Sequence, residues 1–454
     1  MKKLITLAIA LALFSCQEEK PIDYAIISGK VLNANSDKVT IYNSYNYDDQ
    51  KEVAISEEGT FTDTITLGWN HKYSLREGRN GLNLYLSKGD QISITYDAKK
   101  LDSTLVISGI GSEVNDYLFK KNKLKVSVEE LYKEEEADFK QTIIDLKTSK
   151  FNLLDSQEGL PADYITHEKN NIEYEYLNNI NMYPRYHGYF TGNRDFAPSE
   201  GFDSELSSIT YDKEEDFKFS STYRSLITSI FSEKAYNSKD TLVSPQIQLI
   251  NLYGTLENDL IRNKLLYNDA QFGITFATDL EDYYKAYMSA STDEAYNEKI
   301  TKSYNALKLL GKGNSSPKFK DYENNAGGTS SLEDFEGKYV YIDVWATWCG
   351  PCIAEIPSLK KVEKKYHGKN IEFISISIDD KEDHGAWKKM IVDKELGGTQ
   401  LFANNNWKSE FIESYMIKGI PRFILIDPSG NIVNSNAPRP SSESLTALFE
   451  ELSI

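Results

Sequence analysis

The sequence predicts a multidomain protein with three folds in series: an N-terminal antiparallel β-sandwich, a central all-α region and a C-terminal α/β fold. Three observations support this prediction. Short alternating runs separated by turn residues fill residues 22–109, apolar residues at helical spacing occupy 110–310, and strands alternate with helices over 318–454. A chain of 454 residues is also too long for one ordinary domain.

The chain begins with a segment that is typical of exported proteins. Two lysines precede an apolar run from Leu4 to Phe14, which suits a signal peptide and is shorter than the roughly 20 residues of a membrane-spanning helix. Leu13 to Cys16 resembles the lipobox of bacterial lipoproteins. We therefore expect residues 1–16 to be a lipoprotein signal peptide with lipid attached to Cys16. An ordinary signal peptide with an incidental cysteine is the alternative.

The protein is strongly acidic, with a net charge of -18. Nucleic-acid binding needs a basic face, so we expect no nucleic-acid partner. The lipobox implies a membrane contact through a lipid anchor and a cell-envelope location that faces the periplasm. Glu18 and Glu19 resemble the acidic tract that sends some lipoproteins to the outer cell surface.

The first two regions predict architecture and contain no catalytic constellation. The strands expected in the sandwich include Ile26–Val31, Lys38–Tyr42, Thr60–Ile65, Leu82–Leu86 and Gln91–Tyr96. Helical spacing appears at Phe139, Ile143, Ile144 and Leu146. The polar run 193–216 is expected to be a loop, and residues 311–317 have the composition of a linker before the C-terminal fold.

The C-terminal fold carries the chemistry. A predicted strand, Tyr339–Trp345, leads into Cys349 and Cys352, and a predicted helix follows. A Cys-x-x-Cys pair can close into a disulfide and release two electrons. The chain has three cysteines, so lipid on Cys16 would leave this pair as its only thiols. Zinc needs four ligands, and no histidine has finger-like spacing; we expect no metal and no cofactor.

Four segments together resemble the TlpA/ResA-like thiol-disulfide oxidoreductases of the thioredoxin superfamily. These segments are Leu332–Lys338, Trp345–Cys352, Glu355–Pro357 and Gly419–Pro421. The whole layout resembles Gram-negative lipoproteins that carry this module behind an N-terminal β domain. The resemblance implies a thioredoxin-like fold, protein disulfides as substrates and a membrane thiol as electron donor.

Cys349 is expected at the end of the strand and the start of the helix, where backbone N-H groups and the helix dipole stabilise a thiolate. It would be the nucleophile. Cys352, one turn further in and more buried, would attack the mixed disulfide and release the reduced partner. Gly350 and Pro351 form the dipeptide of reducing thioredoxins, which favours a reductant over an oxidant.

Two carboxyl groups are candidates for proton transfer. Asp343 lies six residues before Cys349, at the position of the buried aspartate of thioredoxin, where a raised pKa would let it accept the proton of Cys352. Glu355 matches the active-site glutamate of the ResA-like group. The alternatives are a satisfied strand aspartate and a solvated helix glutamate, and the sequence leaves open which residue is the main acceptor.

The remaining candidates surround the pair. Pro421 fits the cis-proline that faces the Cys-x-x-Cys in this superfamily, and the backbone of Ile420 would pair with an extended substrate segment. Arg422 replaces the usual small residue; it would lower the pKa of Cys349 or select acidic partners, or else point to solvent. Trp348 would shield the thiols and offer a flat apolar contact.

Two other functions compete with the reductase hypothesis. Peroxiredoxins share the fold, but their Pro-x-x-x-Thr-x-x-Cys pattern is not met around Cys349, where the required proline is missing. A non-enzymatic envelope lipoprotein would bind a ligand or partner through residues 22–310 and keep the thioredoxin module as a redox-responsive part.

Overall fold

The computed structural model describes residues 22–44, 46–68, 71–240 and 242–454. The predicted signal peptide and the lipidation site at Cys16 lie outside these residues. The chain divides into two compact units, one that ends at Ser229 and one that runs from Ile230 to Ile454. Within the described part, no helix is both long and apolar enough to cross a membrane.

The N-terminal region is a β-sandwich, as the alternating pattern predicts. Its elements are β1 (Tyr24–Leu32), β2 (Lys38–Asn43), β3 (Asn46–Ala54), β4 (Thr60–Thr66), β5 (Lys72–Glu77), β6 (Asn80–Tyr85), β7 (Gln91–Asp97), the short helix α1 (Leu101–Thr104) and β8 (Val106–Ile110). The strand orders are β4-β1-β7-β8 and β3-β2-β5-β6, and Ile27, Ile94, Ile41 and Leu75 from the two sheets share one core. Strands β1 and β7 pair in parallel. A parallel pair needs a long connection, and the five strands between β1 and β7 in the sequence provide it.

Helices continue the first unit. They are α2 (Ser112–Lys123), α3 (Val128–Lys133), α4 (Glu136–Asp155), α5 (Ala162–Thr191), α6 (Glu214–Phe219) and α7 (Ser221–Tyr236). Phe139 and Ile143 are buried with Tyr183, as their helical spacing predicts. The expected loop 193–216 contains a 3-10 turn at Ser204–Ser208 and the start of α6. Lys121 of α2 is buried in ion pairs with two glutamates of α5.

The second unit begins within α7 and contains four further helices before the C-terminal fold. These are α8 (Pro245–Gly254), α9 (Asp259–Gly273), α10 (Leu280–Ala290) and α11 (Glu294–Lys308). Side chains of Ser244, Asn258, Asp279 and Asp293 cap their N-termini by accepting backbone hydrogen bonds, which explains where each helix begins. A 3-10 turn at Ile274–Phe276 follows α9 directly.

The C-terminal fold is a thioredoxin-like α/β domain. Its elements are β9 (Tyr322–Asn324), β10 (Thr329–Ser330), β11 (Tyr339–Trp345), α12 (Gly350–Tyr366), β12 (Ile371–Ser377), α13 (His384–Asp393), β13 (Thr399–Phe402), α14 (Glu410–Ser414), β14 (Arg422–Ile426), β15 (Ile432–Asn434) and α15 (Glu443–Glu451). The sheet order is β10-β9-β13-β12-β11-β14-β15, with β11, β12 and β13 parallel and β14 antiparallel to β11.

Residues 311–317, which have linker composition, hydrogen-bond to this domain. The backbone N-H of Gly313 donates to the carbonyl of Ile432 at 2.7 Å, and that of Ser316 donates to the carbonyl of Gly430 at 2.9 Å. The segment therefore runs along β15 before the chain enters the sheet.

Candidate active site

The two cysteines lie where strand β11 gives way to helix α12. Cys349 is the N-cap residue of α12, and its Sγ accepts a hydrogen bond from the backbone N-H of Cys352 at 3.2 Å. The pair is joined by a disulfide with Cα atoms 5.3 Å apart. A sulfur at a helix N-terminus is stabilised as a thiolate by the dipole and by this N-H donor. The geometry therefore favours Cys349 as the nucleophile once the disulfide is reduced.

Exposure does not separate the two cysteine residues in the disulfide form, because Cys349 is 5% exposed and Cys352 is 4% exposed. The neighbouring Trp348 is 56% exposed, and its ring centroid lies 6.5 Å from that of the half-buried Trp407. Exposed indole surface therefore lies next to the cysteines.

The loop between β11 and the cysteines is fixed by Asp379, which sequence reasoning missed. The buried carboxylate of Asp379 accepts hydrogen bonds from the backbone N-H of Thr347 at 3.0 Å and from its Oγ1 at 2.7 Å. It also accepts one from Oγ of Ser377 at 2.7 Å. The available signal was position: Asp379 follows a buried strand that is parallel to β11, so it lies at the same edge of the sheet as the dithiol.

Asp343 is buried in the middle of β11. Its Oδ1 has no hydrogen-bond partner within the described part of the chain. Burial and, to a smaller extent, the negative charges of Glu355 and Glu363 together raise the pKa of Asp343 to about 8. The group therefore holds a proton at neutral pH in the disulfide form.

Glu355 projects from α12 and is held by the segment before the last helix. Its carboxylate accepts hydrogen bonds from the backbone N-H of Ser441 at 3.0 Å and from its Oγ at 2.8 Å, and Arg439 lies 3.9 Å away. The next residue, Ser442, is the N-cap of α15. Because Glu355 is buried, the alternative of a solvated helix glutamate does not describe its position.

The Ile420–Pro421 peptide bond is cis. Arg422, the next residue, pairs with Val344 in the antiparallel ladder between β14 and β11. The chain before Arg422 therefore runs beside the end of β11 that leads to the cysteines, and Ile420 packs against the core cluster that contains both of them. The structure thus brings Ile420 and Pro421 to the dithiol edge of the sheet.

Arg422 turns away from solvent, which contradicts the interpretation that its side chain points to solvent. Its Nη1 donates to the carbonyl of Thr275 at 2.7 Å, and its Nη2 donates to Oγ1 of Thr275 at 3.2 Å. Burial lowers the pKa of Arg422 to about 10, so the group remains cationic at neutral pH. Thr275 lies 147 residues earlier, and nothing in the local sequence of either residue indicates the contact.

No metal-binding group of three or more histidine, cysteine, aspartate or glutamate side chains occurs in the described ranges. The chemistry that the described residues support is thiol-disulfide exchange: a dithiol at a helix N-terminus, a buried carboxyl group with a raised pKa, and a cis-proline segment beside them.

Comparison with known proteins agrees with this site. Residues 311–448 match the family model described as Redoxin. The thiol-disulfide oxidoreductase ResA of Bacillus thuringiensis subsp. konkukian is 28% identical over 126 residues, which cover 28% of this chain and 70% of the relative. ResA of Oceanobacillus iheyensis is 32% identical over 106 residues, which cover 23% of this chain and 52% of the relative.

Solved structures match the same part of the chain. The thioredoxin domain of a thiol-disulfide oxidoreductase from Bacteroides vulgatus is 32% identical, with coverage of 32% of this chain and 98% of that chain and a TM-score of 0.29. A thiol-disulfide oxidoreductase from Bacteroides fragilis is 32% identical, with coverage of 30% of this chain and 98% of that chain and a TM-score of 0.27.

The fold and the dithiol define a thioredoxin-like redox domain. More particularly, the C-terminal part of this chain is a Redoxin-family, ResA-like thiol-disulfide oxidoreductase domain, with Cys349 and Cys352 as its Cys-x-x-Cys pair.

Proposed function

We propose that this protein is a cell-envelope thiol-disulfide reductase that reduces disulfides of partner proteins through a cycle of Cys349 and Cys352. The observation that carries the proposal is the position of Cys349 as the N-cap of α12, with its sulfur accepting the N-H of Cys352. This environment stabilises the attacking thiolate. The signal-like segment and Cys16 support the envelope location and a lipid anchor.

The cycle follows from thiol-disulfide chemistry. The thiolate of Cys349 attacks one sulfur of the partner disulfide, the partner S-S bond breaks, and the other partner sulfur leaves as a thiolate. Cys352 loses its proton and attacks Sγ of Cys349, so the mixed disulfide breaks and the internal disulfide forms. The partner has gained two electrons and this protein has lost two. A donor dithiol, which we expect in the membrane, reduces the internal disulfide by the same exchange.

We assign the proton of Cys352 to Asp343, with Glu355 as a charge that tunes Asp343. The disulfide form with a protonated Asp343 corresponds to the product of that transfer, because burial raises the pKa of this carboxyl group to about 8. The carboxylate of Glu355 accepts a hydrogen bond from Ser441 and lies near Arg439. Its negative charge contributes to the raised pKa of Asp343. The cis-proline segment, with Ile420, would pair with the extended partner chain.

The test is a trapping experiment on the full chain. Cys352→Ser is expected to accumulate a mixed disulfide between Cys349 and a disulfide-bonded test protein, visible on a non-reducing gel and mapped by mass spectrometry. Cys349→Ser is the matched control and should form no adduct. Reduced wild-type protein should also transfer electrons to the test protein. Absence of both the adduct and the transfer would refute the proposal.

A further inference from the structure

A short segment outside the thioredoxin-like fold reaches the cis-proline segment through Arg422. Thr275 and Phe276 belong to the 3-10 turn that follows α9. Arg422 donates two hydrogen bonds to Thr275, and its guanidinium carbon lies 4.1 Å from the centroid of the Phe276 ring. This distance is that of a cation-π contact. Arg422 therefore holds the turn in place by both its hydrogen bonds and its charge.

Other contacts fix the end of α9 and the turn that follows it. The ammonium group of Lys418 donates to the carbonyl of Gln271 at 3.0 Å, and Nδ2 of Asn436 donates to the carbonyl of Phe276 at 3.3 Å. A ring carbon of Phe276 lies 3.5 Å from the position that a Cβ on Gly419 would occupy. The aromatic ring thus lies in van der Waals range of the chain that immediately precedes Ile420.

The position of this ring relative to the dithiol follows from the sheet register. Arg422 pairs with Val344, so the residues before Arg422 lie at the end of β11 that leads to the cysteines. Phe276 is half-buried, and Ile420 is half-buried at the same edge. Trp348, which directly precedes Cys349, is largely exposed. A partner segment that docks beside the cis-proline would therefore meet apolar groups from both the domain and the turn.

We propose that Phe276 is a specificity-determining residue of the dithiol site and favours partner disulfides that carry a large apolar side chain beside the reacting cysteine. Arg422 is its positioning residue. This inference rests on the proposed reductase function and adds to it the chemistry of the preferred partner. The chemical step is unchanged, because Phe276 contributes a contact with the partner and no electrons or protons.

The experiment uses the full chain and two disulfide-linked peptides that differ at one position. One peptide has leucine next to its cysteine, and the other has glycine there. Phe276→Ala should raise KM for the leucine peptide about two- to tenfold, the range that corresponds to the loss of one ring contact. It should leave kcat for both peptides and KM for the glycine peptide unchanged. Phe276→Leu should keep most of the preference, and Phe272→Ala, which removes a half-exposed ring one turn earlier on α9, is the matched control.

Arg422 is tested through the same pair of peptides. Arg422→Lys keeps the positive charge but cannot present the two parallel donors, so KM for the leucine peptide should rise while kcat and the redox equilibrium of the dithiol stay as in the wild type. A purely structural defect would instead lower kcat for both peptides. Unfolding midpoints of all variants are recorded to establish that each remains folded.

The outcomes separate the two proposals. If wild-type protein reduces both peptides and Phe276→Ala does not change their ratio of kcat/KM, the inference is wrong and the reductase function stands. Equal losses on both peptides would also overturn it, because Phe276 would then support only the fold. If the wild-type protein reduces neither the peptides nor a test protein, the proposed function fails and this inference fails with it.

Discussion

The substitution Asp343→Asn removes a buried ionisable group while keeping its size. Asp343 lies inside β11, and burial together with the charges of Glu355 and Glu363 raises its pKa to about 8. An unfolded chain has an aspartate pKa of about 3.9. The folded form therefore keeps a proton, between about pH 4 and pH 8, that the unfolded form has released.

The sign of the pH dependence follows from this difference. A carboxyl group whose pKa is raised by folding contributes its full stabilisation at pH values below its pKa in the unfolded chain. This contribution is lost as the pH rises through the pKa of the same group in the folded protein. Each pH unit in the window changes the free energy of unfolding by about 1.4 kcal/mol. Between pH 5 and pH 7, the contribution of Asp343 should fall by about 3 kcal/mol.

The assay is denaturant unfolding of the disulfide form of the full chain at pH 5, 6 and 7. Tryptophan fluorescence reports on the second unit, because four of the five tryptophans lie there, at positions 345, 348, 387 and 407. The quantity to compare is the free energy of unfolding of the wild type minus that of Asp343→Asn, in which the titration of the other groups cancels. A difference that stays constant from pH 5 to pH 7 would refute a raised pKa at Asp343.

The companion variant Glu355→Gln removes the second cause of the raised pKa. The pKa of Asp343 should then move down, so that the loss of stability ends at a lower pH than in the wild type. Glutamine can still accept a hydrogen bond from Ser441, which makes the change mainly one of charge. An unchanged pH profile in this variant would show that the charge of Glu355 does not reach Asp343.

Two further substitutions test contacts elsewhere. Asp379→Ala leaves the half-buried Thr347 and the buried Oγ of Ser377 without their acceptor, so the free energy of unfolding should fall by about 1–3 kcal/mol, and reaction of the reduced dithiol with a small disulfide should slow. Unfolding curves and stopped-flow exchange measure the two effects, and wild-type values in both would contradict the anchoring role. Lys121→Met leaves the buried Glu168 without its cation, so the free energy of unfolding of the first unit should fall by about 3–5 kcal/mol. Far-UV circular dichroism measures this unfolding. The control Lys120→Met removes an exposed ion pair and should stay within about 1 kcal/mol, so equal effects of the two would count against the buried pair.

Local pattern was enough to predict the elements that carry the dithiol. The β-rich run Tyr339–Trp345 is β11 with the same bounds, and the apolar run from Ile371 is β12. The cis bond before Pro421 agrees with the expectation drawn from the family resemblance, which composition could not have supplied. By contrast, β13 was missed because its four residues are too short to show a period.

What the sequence could not predict depends on contacts between distant segments. Glu355 meets Ser441 across 86 residues, and Arg422 meets Thr275 across 147 residues. Neither arginine nor threonine has a local environment that indicates its partner. The turn composition of residues 311–317 likewise gave no sign of the backbone hydrogen bonds that join this segment to the edge of the sheet.

The contact between Arg422 and Thr275 bears on how this redox module can be exchanged between proteins. A transplant of residues 318–454 onto another carrier, whether in the laboratory or by recombination of genes, would take the arginine and leave its threonine behind. The guanidinium would lose both of its hydrogen-bond acceptors and the ring of Phe276. A piece that keeps this contact is therefore longer than the thioredoxin-like fold itself and includes the turn at Ile274–Phe276.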